Sequence, residues 1–373
     1  MKLASIVGAR PNFVKLAAVH WTIRSFSEHI IIHTGQHYDY RLSEIFFKEL
    51  HLPAPDFNLE VGSRTPGVQI GNMLKKLQPL FSKENKFDAV LVYGDTNSTL
   101  AGALCAAKSG LLVAHIEAGL RSFDRRMPEE TNRILVDHLS DYLFCPTMSA
   151  LNNLKREHVT GRIVRTGDLS VEIVRYVAEK LVPDSRILDS LELNNLKGQY
   201  VLMTIHRAEN TSSIERMKSV IHAFEILSKK EGLKIVFPIH PRTLNFLKSV
   251  KLYSRLCQCQ NVRVVKPVGY IDFIALILHS KKIVTDSGGL QKEAYLLGIP
   301  CVTLRENTEW VETIQQGANI LTGTRTNLIV KAVSNWMPEN PSFNRKPIFG
   351  RGNTADMIKS ILVKNLSLDR DNR

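Results

Sequence analysis

Residues 285–294 read TDSGGLQKEA. An apolar run at 281–285 stops, two glycines follow, and a helix-forming stretch begins. Strand, bare turn, helix is the punctuation of an α/β sheet. Ser287, Gly288 and Gly289 would offer backbone N–H groups and one hydroxyl at the positive end of a helix dipole, a setting that suits a phosphate. Glu293 lies further along the same helix, where a carboxylate can accept two hydrogen bonds from a ribose diol. A second reading is a glycine turn that merely lets strand and helix pack. The motif is not a Walker loop, because no GK[ST] follows, and it is not the dinucleotide fingerprint, because G-x-G-x-x-G is absent.

Working outward, the same alternation recurs. Val/Ile/Leu-rich runs at 3–8, 30–34, 88–94, 111–117, 142–146 and 162–167 form one series of strands. Runs at 200–206, 233–240, 261–267, 282–288 and 300–306 form a second. Their near-continuous apolarity predicts parallel strands covered by helices on both faces. Helices are expected at 97–109, 129–140, 212–230, 241–256 and about 353–366. The series breaks over 168–199, which is polar and turn-rich. The predicted architecture is therefore α/β, with two doubly wound, Rossmann-like domains. One spans 1–168 and takes back a helix from 353–373; the other spans 169–352. A cleft facing the carboxyl ends of both sets of strands is the expected ligand site.

Composition narrows the class. Hydrophobic content is 44% and charged content 23%, which reads as globular rather than disordered. No apolar stretch approaches the ~20 residues that span a bilayer, and the start MKLASIVGARP reads as a first strand rather than a signal peptide. Five scattered cysteines predict a reduced, cytosolic, metal-free chain. The net charge of +13 favours an anionic partner or a solvated basic surface. Nucleic acid is disfavoured, because the basic residues form no block and no aromatic ladder accompanies them.

Polar residues gather at the strand ends. GARPNFVK (8–15) leaves the first strand with Arg10 and Lys15, a planar fork of donors and a point charge suited to a diphosphate. Lys15 is also readable as a surface residue. Asp95 follows 88–94 and is open to reading as a helix cap. Glu117 follows 111–116 directly, so it should be partly buried, and burial would raise its pKa towards that of a neutral-pH proton carrier. Glu129 and Glu130 follow Pro128, where they also favour a helix dipole. Arg121, Arg125, Arg126 and Arg133 lie near enough in sequence to pair with these acids or with phosphate. His206 ends the strand at 200–205, and its place tips it towards ligand contact; His37, His115 and His240 are weaker candidates. No nucleophile elbow, H-E-x-x-H or C-x-x-C is present. The residues alone predict a nucleotide-linked ligand beside several acids, and leave the reaction open.

Taken in order, GARPNFVK, HTGQHYD, VYGDTNSTLAG, HIEAGLRS, MPEETNR, TIHRAEN, HPRT, TDSGGLQKEA and PCVTLRENTEW resemble the non-hydrolysing UDP-N-acetylglucosamine 2-epimerases over nearly the whole chain. That resemblance implies a glycosyltransferase-B fold and inversion at C2 of a UDP-linked 2-acetamido sugar, without a cofactor or metal. It implies elimination of UDP to a 2-acetamidoglucal and re-addition, in the cytoplasm, for cell-surface polysaccharide precursors, by a homodimer. It places Asp95, Glu117 and Glu129 as proton carriers, with Arg10, Lys15 and His206 on the diphosphate and His206 among the catalytic residues. Ser287, Gly288, Gly289 and Glu293 would bind phosphate and ribose, Arg133 would assist in substrate binding, and Phe273 would flank uracil. Val268 stands where many members have Gln, leaving only its backbone to read the base. Gln36 and His37 match a regulatory UDP-GlcNAc site of some members, whereas Asp39 departs from it. TEWVET at 308–313 replaces the usual TERPE, and together with RPNFVK at 10–15 it is similar to members acting on UDP-2,3-diacetamido-2,3-dideoxyglucuronate. That sugar is the alternative substrate. A glycosyltransferase and a non-catalytic UDP-sugar sensor are the further alternatives.

Overall fold

The apolar runs fold into two separate parallel sheets in a computed structural model that describes residues 1–36, 40–82, 84–230 and 232–371. The chain divides into two units: Met1–Ile173 with Pro347–Arg373, and Val174–Lys346.

In the first unit the strands are β1 (Lys2–Val7), β2 (Glu28–His33), β3 (Phe57–Asn58), β4 (Ala89–Tyr93), β5 (Leu112–Ile116), β6 (Tyr142–Cys145) and β7 (Arg162–Arg165). They lie in the order β3-β2-β1-β4-β5-β6-β7, all parallel. From β1 the chain steps outward to β3, then returns to place β4 on the other side of β1. The β1/β4 boundary is therefore a topological switch point, where the helices leaving the two strand ends diverge and open a crevice. β4 is wholly buried because helices cover both faces, and its sequence AVLVY carries no polar alternation. The core beneath it includes Ile6, Ile32, Val90, Val92, Met73 and Leu77.

In the second unit the strands are β8 (Tyr200–Thr204), β9 (Lys234–Pro238), β10 (Val262–Val265), β11 (Lys282–Thr285), β12 (Cys301–Thr303) and β13 (Asn319–Leu321). Their order, β10-β9-β8-β11-β12-β13, puts a second switch point between β8 and β11. The core here is built on Val201, Met203, Phe224, Phe237, Val284 and Val302. The TDSGG turn leaves β11, so it stands at this switch.

Two differences from expectation have simple causes. β3 and β13 hold only two and three residues, too few for any periodicity to register. The helix expected over 241–256 is two, Pro241–Ser249 and Tyr253–Cys257, separated where Lys251 takes a left-handed φ of 57°. The stretch 168–199 contains short helical turns and no strand.

The helix Thr354–Asp371 belongs to the first unit, with Ile358 and Leu362 buried. Its start is held by Thr354 Oγ1 donating to Thr166 O (3.1 Å) and by Ala355 N donating to Glu172 Oε1 (3.0 Å). Burial pushes the Glu172 carboxyl up to about 7; the backbone N–H groups of Ala355 and Thr354 oppose the rise, while Asp356 and Asp168 add to it. Its folded-state pKa lies above the unfolded value, so the folded protein binds the extra proton. Stability from this group is therefore greatest below pH ~4.5 and falls as pH rises to about 7. Glu172→Gln is expected to match the wild type at pH 5 and to exceed it at pH 8, by at most about 3 kcal/mol. Thermal unfolding at both pH values checks this; equal melting at pH 8 would refute it.

Candidate active site

At the first switch point the strand ends are locked together before any ligand chemistry begins. A Cβ at Gly8 would collide with Ser98 Oγ and Thr34 Oγ1, so only glycine lets these segments meet. Asn12 Oδ1 accepts from Gly8 N (3.3 Å) and Ala9 N (3.1 Å), and its Nδ2 donates to Tyr93 O (2.9 Å). The exits of β1 and β4 are thereby tied. Arg10 is exposed in the first turn of helix Arg10–Ile23, its guanidinium 5.0 Å from the Phe46 ring centroid.

Lys15, on the next turn, is buried, and its Nζ forms an ion pair with Glu117 Oε2; the two side chains are only 7% and 10% exposed. Glu117 is partly buried at the end of β5, as its position predicts, but beside a cation that the sequence reading gave to the phosphate. Its backbone is left-handed, with φ 71°, a conformation that costs a non-glycine residue about 1–3 kcal/mol and that must be imposed by its surroundings. Glu117 N and Ala118 N both donate to Phe144 O (3.1 Å each) and impose it. Gly94 faces the pair: a Cβ there would lie 3.0 Å from Glu117 Oε2 and 3.3 Å from Lys15 Nζ, and its φ is +66°.

Asp95 follows, its Oδ2 paired with Arg133 Nη2 and its carbonyl accepting from Asn132 Nδ2 (2.9 Å). Arg133 is buried and reaches Glu130 Oε2 with Nη1 (2.7 Å). Glu130 also accepts from Ser122 N (2.9 Å), Ser122 Oγ (2.7 Å) and Phe123 N (3.0 Å). It is thus committed to holding the 122–123 loop. Its neighbour Glu129, in the first turn of helix Pro128–Leu139, is half-buried and has no side-chain hydrogen bond or ion pair to any described residue. The structure separates two acids that the sequence left as a pair.

Behind them lies a network of which sequence reasoning named His115 and Arg121 and missed Asp137. His115, fully buried, sets Nδ1 2.7 Å from Asp137 Oδ1 and Nε2 2.8 Å from Gly94 O. Asp137 accepts from Gly119 N (3.2 Å) and Arg121 Nη1 (2.7 Å). The backbone before Asp95 and the backbone after Glu117 are therefore fixed to the same carboxylate and imidazole. The available signal was Asp137 four residues after Arg133, which puts two charges on one inward face of an amphipathic helix.

At the second switch point Asp286, wholly buried, accepts from His206 N (3.0 Å), Arg207 N (3.0 Å) and Asn210 Nδ2 (3.0 Å). It binds the end of β8 to the end of β11. The His206 ring is 40% exposed, 3.8 Å from Asp286 and 5.7 Å from the His240 centroid. Ser287 caps helix Gly288–Leu297, its Oγ accepting from Leu290 N (3.5 Å).

The two glycines differ. Neither adopts a left-handed φ. A Cβ at Gly288 would collide with Glu309 Oε1, which is held by Arg305 Nη1 on its other oxygen (2.7 Å) and by Arg207 Nη2 (3.4 Å). A Cβ at Gly289 would meet nothing within 4 Å. Gly288 is bare for the protein's own carboxylate, whereas Gly289 presents bare backbone outward. Glu293 is half-buried along the same helix. Phe273 is buried in helix Tyr270–Leu278, which packs against Gly288–Leu297, and Val268 is half-buried in the loop after β10.

Lys15, Asp95, Glu117 and Arg133 are thus gathered at the first switch point, with Arg10 and Glu129 on the adjoining helix starts. His206 and Ser287–Gly289 are gathered at the second. Gln36 Oε1 accepts from Ser98 N (2.9 Å) and Ser98 Oγ (2.6 Å), so its side chain anchors the start of helix Asn97–Lys108. His37 and Asp39 lie outside the described residues. Among the described residues no helix is long and apolar enough to cross a membrane, and no group of three or more His, Cys, Asp or Glu is placed to hold a metal.

Residues 22–363 match the family model of UDP-N-acetylglucosamine 2-epimerase. A Methanococcus maripaludis protein described as a UDP-N-acetylglucosamine 2-epimerase homolog is 49% identical over 97% of this chain and 99% of its own length. The UDP-2,3-diacetamido-2,3-dideoxy-D-glucuronate 2-epimerase of Pseudomonas aeruginosa is 42% identical over 98% of this chain and all of its own. The crystal structure of Methanocaldococcus jannaschii UDP-GlcNAc 2-epimerase, in complex with UDP-GlcNAc and UDP, superposes with a TM-score of 0.91 at 42% identity, covering 98% of this chain and 100% of that one. With two parallel α/β sheets, acids and cations at one switch point, and a bare helix start at the other, this chain belongs to the UDP-N-acetylglucosamine 2-epimerase family of isomerases, of glycosyltransferase-B-like fold.

Proposed function

We propose that the protein interconverts UDP-N-acetylglucosamine and UDP-N-acetylmannosamine through a 2-acetamidoglucal intermediate, for cell-surface polysaccharide precursors. The observation that supports this most directly is the pairing at the first switch point: two carboxylates at successive strand ends, Asp95 and Glu117, each beside its own cation. The C2 proton of the sugar is not acidic, so its removal must accompany loss of a good leaving group. One carboxylate takes that proton, the electron pair becomes the C1=C2 bond, and the C1–O bond pair leaves with UDP. As UDP re-forms its bond to C1, inversion needs a proton delivered to the opposite face of C2, for which Glu129 is available. The outward backbone at Gly289, the Ser287 cap and the helix dipole suit the diphosphate, whose charge grows in the transition state. Glu293 and Phe273 are assigned to ribose and uracil, and His206 and Arg10 to the diphosphate.

In deuterium oxide the product sugar is expected to carry deuterium at C2, with traces of free UDP and 2-acetamidoglucal, read by NMR. UDP release that depends on an acceptor, without C2 exchange, would assign a glycosyltransferase instead; binding without turnover would assign a sensor.

A second reading is favoured by one observation. Trp310 and Val311 replace the Arg-Pro of TERPE, Trp310 is buried with Lys292 Nζ 4.3 Å from its ring centroid, and a relative is a diacetamido-glucuronate 2-epimerase. Supplying each UDP-sugar separately decides between them. Inversion of the uronate alone would replace the first reading.

A further inference from the structure

We propose that Lys15 is a cation shared between Glu117 and the diphosphate, so that proton uptake by Glu117 and departure of UDP promote one another. This rests on the epimerase reading of the site and deepens it.

An ammonium carries three N–H donors. Lys15, with its side chain only 7% exposed, has Glu117 as its one hydrogen-bonding or ionic partner among the described residues. A buried ammonium with donor capacity left over is costly unless another acceptor completes it. A phosphate oxygen is the acceptor whose charge fits. Arg133 makes the contrast. It is held by both Asp95 and Glu130, so it is fixed between two carboxylates and has no comparable freedom to move. Lys15 sits on a flexible four-carbon stem, opposite a Gly94 that leaves the space beside Nζ clear of side chain. The other charged groups at these strand ends, Asp95, Arg133, Glu130 and the His115–Asp137–Arg121 network, are already bonded to one another.

The chemistry makes the sharing consequential. On elimination the C2 proton passes to the Glu117 carboxylate, which becomes neutral. The C2–H electrons form the C1=C2 bond, and the C1–O pair leaves on UDP, which gains one negative charge. One unit of charge has moved from one side of Lys15 to the other. Lys15 neutralises Glu117 before the step and UDP after it, and return of the proton from Glu117 to C2 reverses the exchange.

Glu117→Gln reproduces the neutral state of that carboxyl. Calorimetric titration of the full-length protein with UDP is expected to show about tenfold tighter binding in Glu117→Gln than in the wild type. The gain should vanish in a Lys15→Met background, and Lys15→Gln serves if Lys15→Met does not fold. No gain in Glu117→Gln overturns the proposal. So does a gain of equal size with Lys15 removed, which would mean only relief of repulsion between Glu117 and the diphosphate. Failure of the wild type to bind UDP would instead overturn the epimerase reading itself.

Discussion

Glu117→Gln is expected to lower kcat for C2 inversion by about 10²–10⁴-fold, the usual contribution of a positioned proton carrier. Gln keeps the length and shape of the side chain and leaves the backbone donations of Glu117 N and Ala118 N to Phe144 O untouched. The left-handed backbone should therefore survive, and circular dichroism should match the wild type. What disappears is the ability to accept a proton. Asp95→Asn should act in the same direction, since its carboxylate lies at the adjoining strand end. A loss below tenfold in both variants, measured as initial rates by NMR, would remove these acids from the chemistry.

The two glycines of TDSGG should separate folding from binding. Gly288→Ala drives a methyl into Glu309 Oε1, and the carboxylate can move only by leaving Arg305 and Arg207. Overpacking against a buried, paired carboxylate costs about 1–3 kcal/mol, so a clear fall in the midpoint of chemical denaturation is expected. Gly289→Ala meets no protein atom. Its stability should be unchanged within about 0.5 kcal/mol, while UDP binding weakens by about 10–100-fold, the effect of displacing a diphosphate from backbone N–H groups worth about 1.5–3 kcal/mol. Unaltered UDP affinity in Gly289→Ala would show that the ligand does not approach this backbone.

Much of this was legible in the sequence because parallel sheets buried on both faces write themselves as apolar runs, and because the polar residues then stand at the strand ends. Positions such as Asp95, Glu117 and His206 follow from that alone. Partnership was legible only at short range, as for Arg133 with Glu130. Lys15 and Glu117 are separated by 102 positions, and no local pattern reports their meeting. Glu129 and Glu130 are adjacent, so only the rotation of their helix decides which turns inward to Ser122. The role of Gly288 depends on Glu309, which arrives from a different loop. Short edge strands such as β3 leave too little pattern to find.

The helix Thr354–Asp371 completes a unit that begins at Met1, while everything needed for the second sheet lies between Val174 and Lys346. During synthesis the later unit can therefore close first, and the earlier one waits for its final piece to leave the ribosome. All seven described strands of that sheet are made long before, so a chain cut short of Thr354 would keep its sheet and lose only the cover that Ile358 and Leu362 provide.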